Sequence, residues 1–269
     1  MPAIESPSVE ANGARIPLIG LGTWDLRGKA CARMVEEALR FGYRHIDTAA
    51  MYRNEEAVGE GLRASGVKRD EVFITTKVWS SDLRARDFER STRESIEKLK
   101  VQNVDLLLIH WPNSSVSLKE TVGALCKMKR EGLARHIGVS NFDPTLVADA
   151  VKLATEPLVN NQIELHPYND QSKTIAASRK AGLAITAYTP IARGRVTGDA
   201  LLSRIGKAHG KTAAQVCLRY LVQQSIVVIP KTSRAERLTE NAEIFDFRLT
   251  PAEMNEIAAL ASPRGNLVS

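Results

Sequence analysis

Along the chain, short runs of aliphatic and β-branched residues alternate with longer stretches in which apolar positions recur every three or four residues. The first pattern is that of buried strands, the second that of helices with one apolar face. Strand-like runs fall at 18–20, 45–47, 73–78, 104–109, 134–139, 159–164, 183–188 and 226–229. Helical periodicity covers 30–41, 55–64, 87–99, 118–130, 145–153, 172–181, 213–222 and 234–243. In 87–99, for example, Phe88, Thr92, Ile96 and Leu99 share a face while Arg90, Glu94 and Lys98 project elsewhere. Gly42, Gly66, Gly132 and Gly182 follow helical stretches, where a left-handed stop suits glycine. Asn12-Gly13 between short segments predicts a type I′ hairpin turn. Strand–helix units repeated in this way predict an α/β fold, a single (β/α)8 TIM barrel with an N-terminal β-hairpin and a short C-terminal tail. A doubly wound sheet follows from the same alternation, but the number of units and the length favour closure. No Pro-, Ser- or Gly-rich linker divides the chain, so one domain over 1–269 is expected.

The 269 residues are 43% hydrophobic and 25% charged, which excludes disorder and leaves ample apolar material for one large core. Cys31, Cys126 and Cys217 are odd in number and far apart, which suggests neither a disulfide framework nor a zinc site. The first ten residues carry Glu5 and Glu10 and no apolar run, unlike a secretory signal, and no apolar stretch is long enough to span a bilayer. A cytoplasmic protein with no membrane partner is expected. The net charge of +6 raises an anionic partner. Nucleic acid is a poor fit, because bases are interleaved with acids, as in 84–100, and no aromatic-basic platform accompanies them.

In a barrel of this kind reactive groups gather where the strands end. Those ends carry Asp47, Lys77, His110, Ser140 and Asn141, Gln162 and Glu164, Tyr188, and Lys231. Singly, each is as readily a cap, a packing residue or a solvated charge; convergence on one face is what points to chemistry. Three of them, Asp47, Lys77 and His110, form with Tyr52 a set suited to proton transfer. A tyrosine with an ordinary pKa of about 10 works at neutral pH only beside a group that eases its ionisation. A lysine ammonium does this, and an aspartate paired to that lysine holds it charged. Tyr52 is thus expected to act as general acid, with His110 orienting a carbonyl oxygen. Such a set suits reduction of an aldehyde or ketone, where oxygen gains a proton as carbon gains hydride.

The dinucleotide fingerprint G-x-G-x-x-G is absent, since Gly20-Leu21-Gly22 continues as Thr23-Trp24-Asp25. A phosphate-binding loop is missing too. After the last strand-like run, however, come Lys231, Thr232, Ser233, Arg237 and Asn241, a lysine, hydroxyls and an arginine placed for an anion. An adenosine 2′-phosphate accounts for them together and favours NADPH over NADH. The five histidines show no metal-ligand spacing, so a metal-dependent hydrolase is disfavoured.

The motifs resemble those of the aldo-keto reductases over nearly the whole chain. Gly42-Tyr43-Arg44-His45-Ile46-Asp47-Thr48-Ala49, followed by Tyr52, Asn54, Glu55 and Gly59, is similar to the family's first signature. Asp105 through His110-Trp111-Pro112 and Gly138-Val139-Ser140-Asn141-Phe142 match its middle segments, and Ile229-Pro230-Lys231-Thr232 through Arg237 and Asn241 its last. The resemblance implies a catalytic tetrad of Asp47, Tyr52, Lys77 and His110, with direct hydride transfer and no metal. It implies that Ser140, Asn141 and Gln162 hold the nicotinamide carboxamide and that Tyr188 stacks on the ring. Lys231, Thr232, Ser233, Arg237 and Asn241 then take the adenosine end, while Gly22, Thr23 and Trp24 line the cleft, with Asp47 also touching the cofactor (NADPH, NADP+).

Within the family, Thr75-Thr76-Lys77-Val78-Trp79 and Asn161-Gln162-Ile163-Glu164-Leu165 look most like the bacterial 2,5-diketo-D-gluconate reductases, which also reduce methylglyoxal. The short segment after Ala261 and the short loop around Arg193-Gly194-Arg195 predict an open pocket lined by Trp24, Tyr52, Trp79, His110 and Trp111. A small-molecule carbonyl substrate and a monomer are expected. A non-catalytic NADP(H)-binding sensor on the same fold is the alternative, since fold alone never fixes function.

Overall fold

The computed structural model describes residue 4 and residues 6–268. Strands β1 (Ser8–Ala11) and β2 (Ala14–Pro17) form an antiparallel hairpin whose turn, Asn12 at φ 45° and Gly13 at φ 87°, has the positive dihedrals that a type I′ turn requires. Eight parallel strands follow in chain order across one curled sheet: β3 (Leu21–Gly22), β4 (His45–Asp47), β5 (Phe73–Val78), β6 (Val104–Ile109), β7 (Ala134–Ser140), β8 (Leu158–Glu164), β9 (Ala184–Tyr188) and β10 (Val227–Val228). The two edges of the sheet meet. Gly20 N donates to Val228 O at 2.9 Å, Val228 N to Leu18 O at 2.9 Å and Gly22 N to Pro230 O at 3.2 Å. This arrangement is consistent with a (β/α)8 barrel.

These bonds also explain a difference from the sequence reading. The expected first strand, 18–20, is the stretch that pairs with β10, whereas the ladder to β4 is made one step later by Leu21 and Gly22. Staggered strands in a curled sheet pair at different heights on their two sides. Gly22 is needed here because a Cβ at that position would come within 2.5 Å of Ile229 O.

Between the strands lie α1 (Gly28–Phe41), α2 (Glu55–Ala64), α3 (Ala85–Leu99), α4 (Leu118–Arg130), α5 (Pro144–Leu153) and α6 (Ser172–Lys180), each packed against the next in chain order. They cover the outer face of the sheet, so a strand such as β6 is buried on both sides and apolar from Leu106 to Ile109. The expected helix 213–222 is α8 (Ala213–Val222), and before it stands α7 (Ala200–His209), which sequence reading passed over. After β10 come α9 (Glu236–Ala242) and a further helix, α10 (Pro251–Ala258), also not anticipated. Both extra helices carry start signals. Asp199 accepts from Leu202 N at the head of α7, and Thr250 with Glu253 forms a capping box on α10. Among the described residues no helix is long and apolar enough to cross a membrane.

Candidate active site

Alternation along the strands turns every second side chain toward the sheet's concave interior, so the polar residue at the carboxyl end of each strand faces the same space. Asp47 from β4 and Lys77 from β5 meet there, both almost wholly buried. Lys77 Nζ donates to Asp47 Oδ1 at 2.5 Å, to Thr48 O at 2.9 Å and to Tyr52 Oη at 3.3 Å, which uses all three of its protons. The second carboxylate oxygen of Asp47 accepts from Gln162 Nε2 on β8 at 2.7 Å. A buried ion pair is stable only when its remaining hydrogen-bonding capacity is met, and here it is.

Burial works against the Lys77 ammonium, but Asp47 and Tyr52 outweigh it and hold its pKa above the usual lysine value. The Tyr52 phenol is pushed up by burial, with Asp47 adding to the rise and Lys77 opposing both, so it remains protonated at neutral pH. The sequence reading expected Lys77 to ease ionisation of the phenol. Its pull is present, but desolvation is the larger effect. His110, at the end of β6, is driven to a pKa of about 2 by burial and by the nearby Lys77 charge, so its imidazole is neutral. Its Nδ1 is buried without a hydrogen-bond partner among the described residues.

Aromatic rings wall this pocket. Trp24 and Tyr52 meet edge to face at 4.9 Å, Tyr52 and His110 at 5.6 Å, and His110 and Trp79 at 5.0 Å. Trp24 is 48% exposed, an unusual degree for so large an apolar ring, and marks the open side. Trp111, also expected in the wall, is half-buried beside His110.

On the opposite wall Tyr188 Oη donates to Asn141 Oδ1 at 2.7 Å. Asn141, at φ 62°, donates through Nδ2 to His110 O at 3.0 Å and to Ser140 Oγ at 3.1 Å, and Ser140 Oγ donates to Gln162 O at 2.8 Å. Ser140, Asn141, Gln162 and Tyr188 are thus one bonded patch adjoining the Lys77–Asp47 pair. Gln162 is tied to Asp47, a partner that sequence reading did not foresee.

Other predicted residues divide by exposure. Lys231, Ser233, Arg234 and Arg237 face solvent just beyond β10, their charges turned outward on one short turn and the head of α9. Thr232 and Asn241 are buried, and the Thr232 hydroxyl is occupied by its own turn, accepting from Arg234 N at 3.0 Å. Thr23 is fully buried with its hydroxyl donated to Asp47 O at 2.9 Å, and Gly22 lies against the backbone of Ile229, just past β10. Arg195, in the irregular 192–198 segment, is stacked over the Tyr168 ring at 4.3 Å. Sequence reading assigned no role to Asn54. This buried amide accepts from Thr48 Oγ1 at 2.8 Å and donates to Thr23 O and Leu26 O, so it locks the loop that carries Asp47 toward Tyr52. A buried polar residue just before a helix was the available signal.

The model of the "Aldo/keto reductase family" matches residues 18–262. Methylglyoxal reductase DkgB of Escherichia coli O157:H7 is 41% identical over 248 residues, covering 91% of this chain and 93% of that protein. The crystal structure of a putative 2,5-diketo-D-gluconic acid reductase B superimposes with a TM-score of 0.96 at 46% identity, covering 98% of this chain and 94% of the other. An aldo-keto reductase of Bombyx mori, solved in complex with NADP, gives a TM-score of 0.92 at 32% identity over 99% of this chain and 96% of its own. With a bonded Asp–Lys–Tyr group in a strand-end pocket and this likeness over almost its whole length, the chain belongs to the aldo/keto reductase family and is an oxidoreductase that reduces carbonyl groups.

Proposed function

We propose that the protein, a single domain over 1–269 closed as a (β/α)8 barrel, is a cytoplasmic, monomeric NADPH-dependent reductase of small aldehydes and ketones, with methylglyoxal and keto-sugar acids such as 2,5-diketo-D-gluconate as its substrate class. The carrying observation is the threefold use of Lys77 Nζ, which joins the buried Asp47 carboxylate and the half-buried Tyr52 phenol in one bonded group among aromatic rings. When bound, NADPH supplies the hydride taken up by the carbonyl carbon. Tyr52 Oη gives its proton to the carbonyl oxygen, and the Lys77 ammonium beside it stabilises the phenolate left behind. Asp47 keeps that ammonium charged and fixed. His110, neutral throughout the physiological range, directs a ring nitrogen at the same oxygen without adding charge. Trp24, Tyr52, Trp79, His110 and Trp111 exclude water from the reacting carbonyl.

The donor set fits the cofactor. Ser140, Asn141 and Gln162 offer amide and hydroxyl groups for a carboxamide, and Tyr188 a half-buried ring for stacking. Lys231, Ser233 and Arg237 suit the adenosine 2′-phosphate, with Arg234 beside them and Thr232 and Asn241 shaping the turn. The assignment is tested with Tyr52→Phe. This variant binds NADPH with an unchanged dissociation constant, measured by nicotinamide fluorescence, and loses reduction of methylglyoxal by about a hundredfold or more. Retention of most of the activity would show that the proton comes from elsewhere.

A further inference from the structure

Glu164 closes β8 two residues past Gln162, is 4% exposed, and stands outside the proposed chemistry. Its carboxylate is nonetheless fully engaged. Oε1 accepts from Leu267 N at 2.6 Å, Oε2 from Val268 N at 2.9 Å, and His166 Nε2 lies 3.1 Å from Oε1. His166 Nδ1 accepts from Tyr168 N at 3.3 Å, which places the ring proton on Nε2, directed at Glu164. The rest of the tail follows the same stretch of chain. Ser262 N donates to Tyr168 O, Asp170 N donates to Ser262 O, and Asn169 Nδ2 bridges Glu164 O and Asn266 Oδ1. Gly265 presses so closely on Tyr168 O that no Cβ has room there.

This anchorage reaches the 192–198 segment by two routes. Tyr168 Oη donates to Asp199 Oδ2 at 2.9 Å at the head of α7, and its ring carries the Arg195 guanidinium. Leu267 packs on a small apolar cluster, separate from the barrel core, that contains Ala192, Val196 and Tyr168. The 192–198 segment needs such support, because Ala192, Arg193 and Gly194 all hold positive φ, costly for the two that are not glycine.

We infer that Glu164 is a positioning residue: it straps the tail, residues 262–268, beside the mouth of the site, and the strapped tail holds in place the 192–198 turn, which follows closely on the Tyr188 proposed to stack on the cofactor. The consequence for cofactor binding rests on the NADPH reading above; the mechanical coupling of tail to turn does not.

Hydrogen–deuterium exchange of the full chain, of Glu164→Gln and of a chain lacking 262–269 separates these. Loss of a charged acceptor for two amides is expected to speed exchange about tenfold in peptides covering 262–268 and, in both variants, in those covering 192–199. Peptides from β6 and β7 keep their protection. NADPH then dissociates about five- to tenfold faster, while kcat at saturating cofactor changes by less than about twofold. Faster exchange in the tail alone, in neither segment, or spread evenly through the barrel overturns the inference. Should no variant nor the parent bind NADPH, the cofactor reading fails while the exchange pattern still decides the coupling.

Discussion

The Lys77 ammonium lies between two groups that ask different things of it, a carboxylate that needs a counter-charge and a phenol that needs an electrostatic reason to release its proton. Taking the Asp47–Lys77 pair out of water, with the phenol half-buried beside it, makes each interaction stronger and each omission costlier. Asp47, Lys77 and His110 were legible in the sequence because each ends a strand, and strand ends in this fold share one face. The Gln162–Asp47 bond was not, since it spans the curled sheet between residues far apart in the chain. His45 illustrates the same limit. Sequence reading gave it no role, yet it is buried beneath Asp47 with Nε2 at 3.1 Å from Thr75 Oγ1, and burial lowers its pKa to about 4. Below its ordinary value of about 6.5 the unfolded chain takes up a proton that the folded protein refuses, so this residue's contribution to stability is lost as pH falls from about 6.5 toward 4. Denaturant unfolding of wild type and His45→Asn measures it. Between about pH 6.5 and 5 the wild type is expected to lose about 1 to 2 kcal/mol more than the variant. Parallel loss in both contradicts the neutral, buried assignment.

At the level of elements, periodicity located α2, α4 and α8 to the residue, because their apolar stripes are regular and uninterrupted. It passed over α7 and α10, whose caps were visible, because the strand–helix alternation was already complete without them. These two helices serve the small cluster under the tail and not the sheet, and nothing in a repeat pattern calls for such an annex. The first strand of the parallel sheet was displaced for a different reason. A short apolar run pairs on one side with β4 and on the other with β10, and only three-dimensional stagger decides which residues serve which neighbour. Gly22 sits at that junction. Gly22→Ala drives a methyl group against the carbonyl oxygen of Ile229, a backbone atom that has little freedom to withdraw. The substitution is expected to destabilise by about 1–3 kcal/mol in urea unfolding. An unchanged midpoint contradicts the close approach of the two edges of the sheet.

For the molecule as a whole, the basic excess is the property that sequence left most open. Two windows, 190–198 and 231–237, each carry a net charge of +2. The structure separates them. Arg195 is stacked on Tyr168 and serves the segment that contains it, whereas Lys231, Arg234 and Arg237 stand exposed together past β10. That cluster, past the last strand of the sheet, is the proposed site of the 2′-phosphate. Arg237→Ala is expected to weaken NADPH about tenfold or more and NADH by less than about twofold, compared by titration of both cofactors at fixed ionic strength. Equal losses contradict a contact to the 2′-phosphate. The remaining charge is spread over helix faces and paired there, as Arg93 is with Glu89 and Glu131.

Carbonyl reduction at this site is tested most directly by one assay: the loss of nicotinamide absorbance when NADPH and purified protein are mixed with methylglyoxal, other small aldehydes and keto-sugar acids. Consumption of NADPH matched mole for mole by alcohol product is expected with at least one of them, without added metal. Absence of consumption across the whole panel, with NADPH shown to be bound, contradicts carbonyl reduction by this site and leaves a cofactor-binding protein that does not turn over.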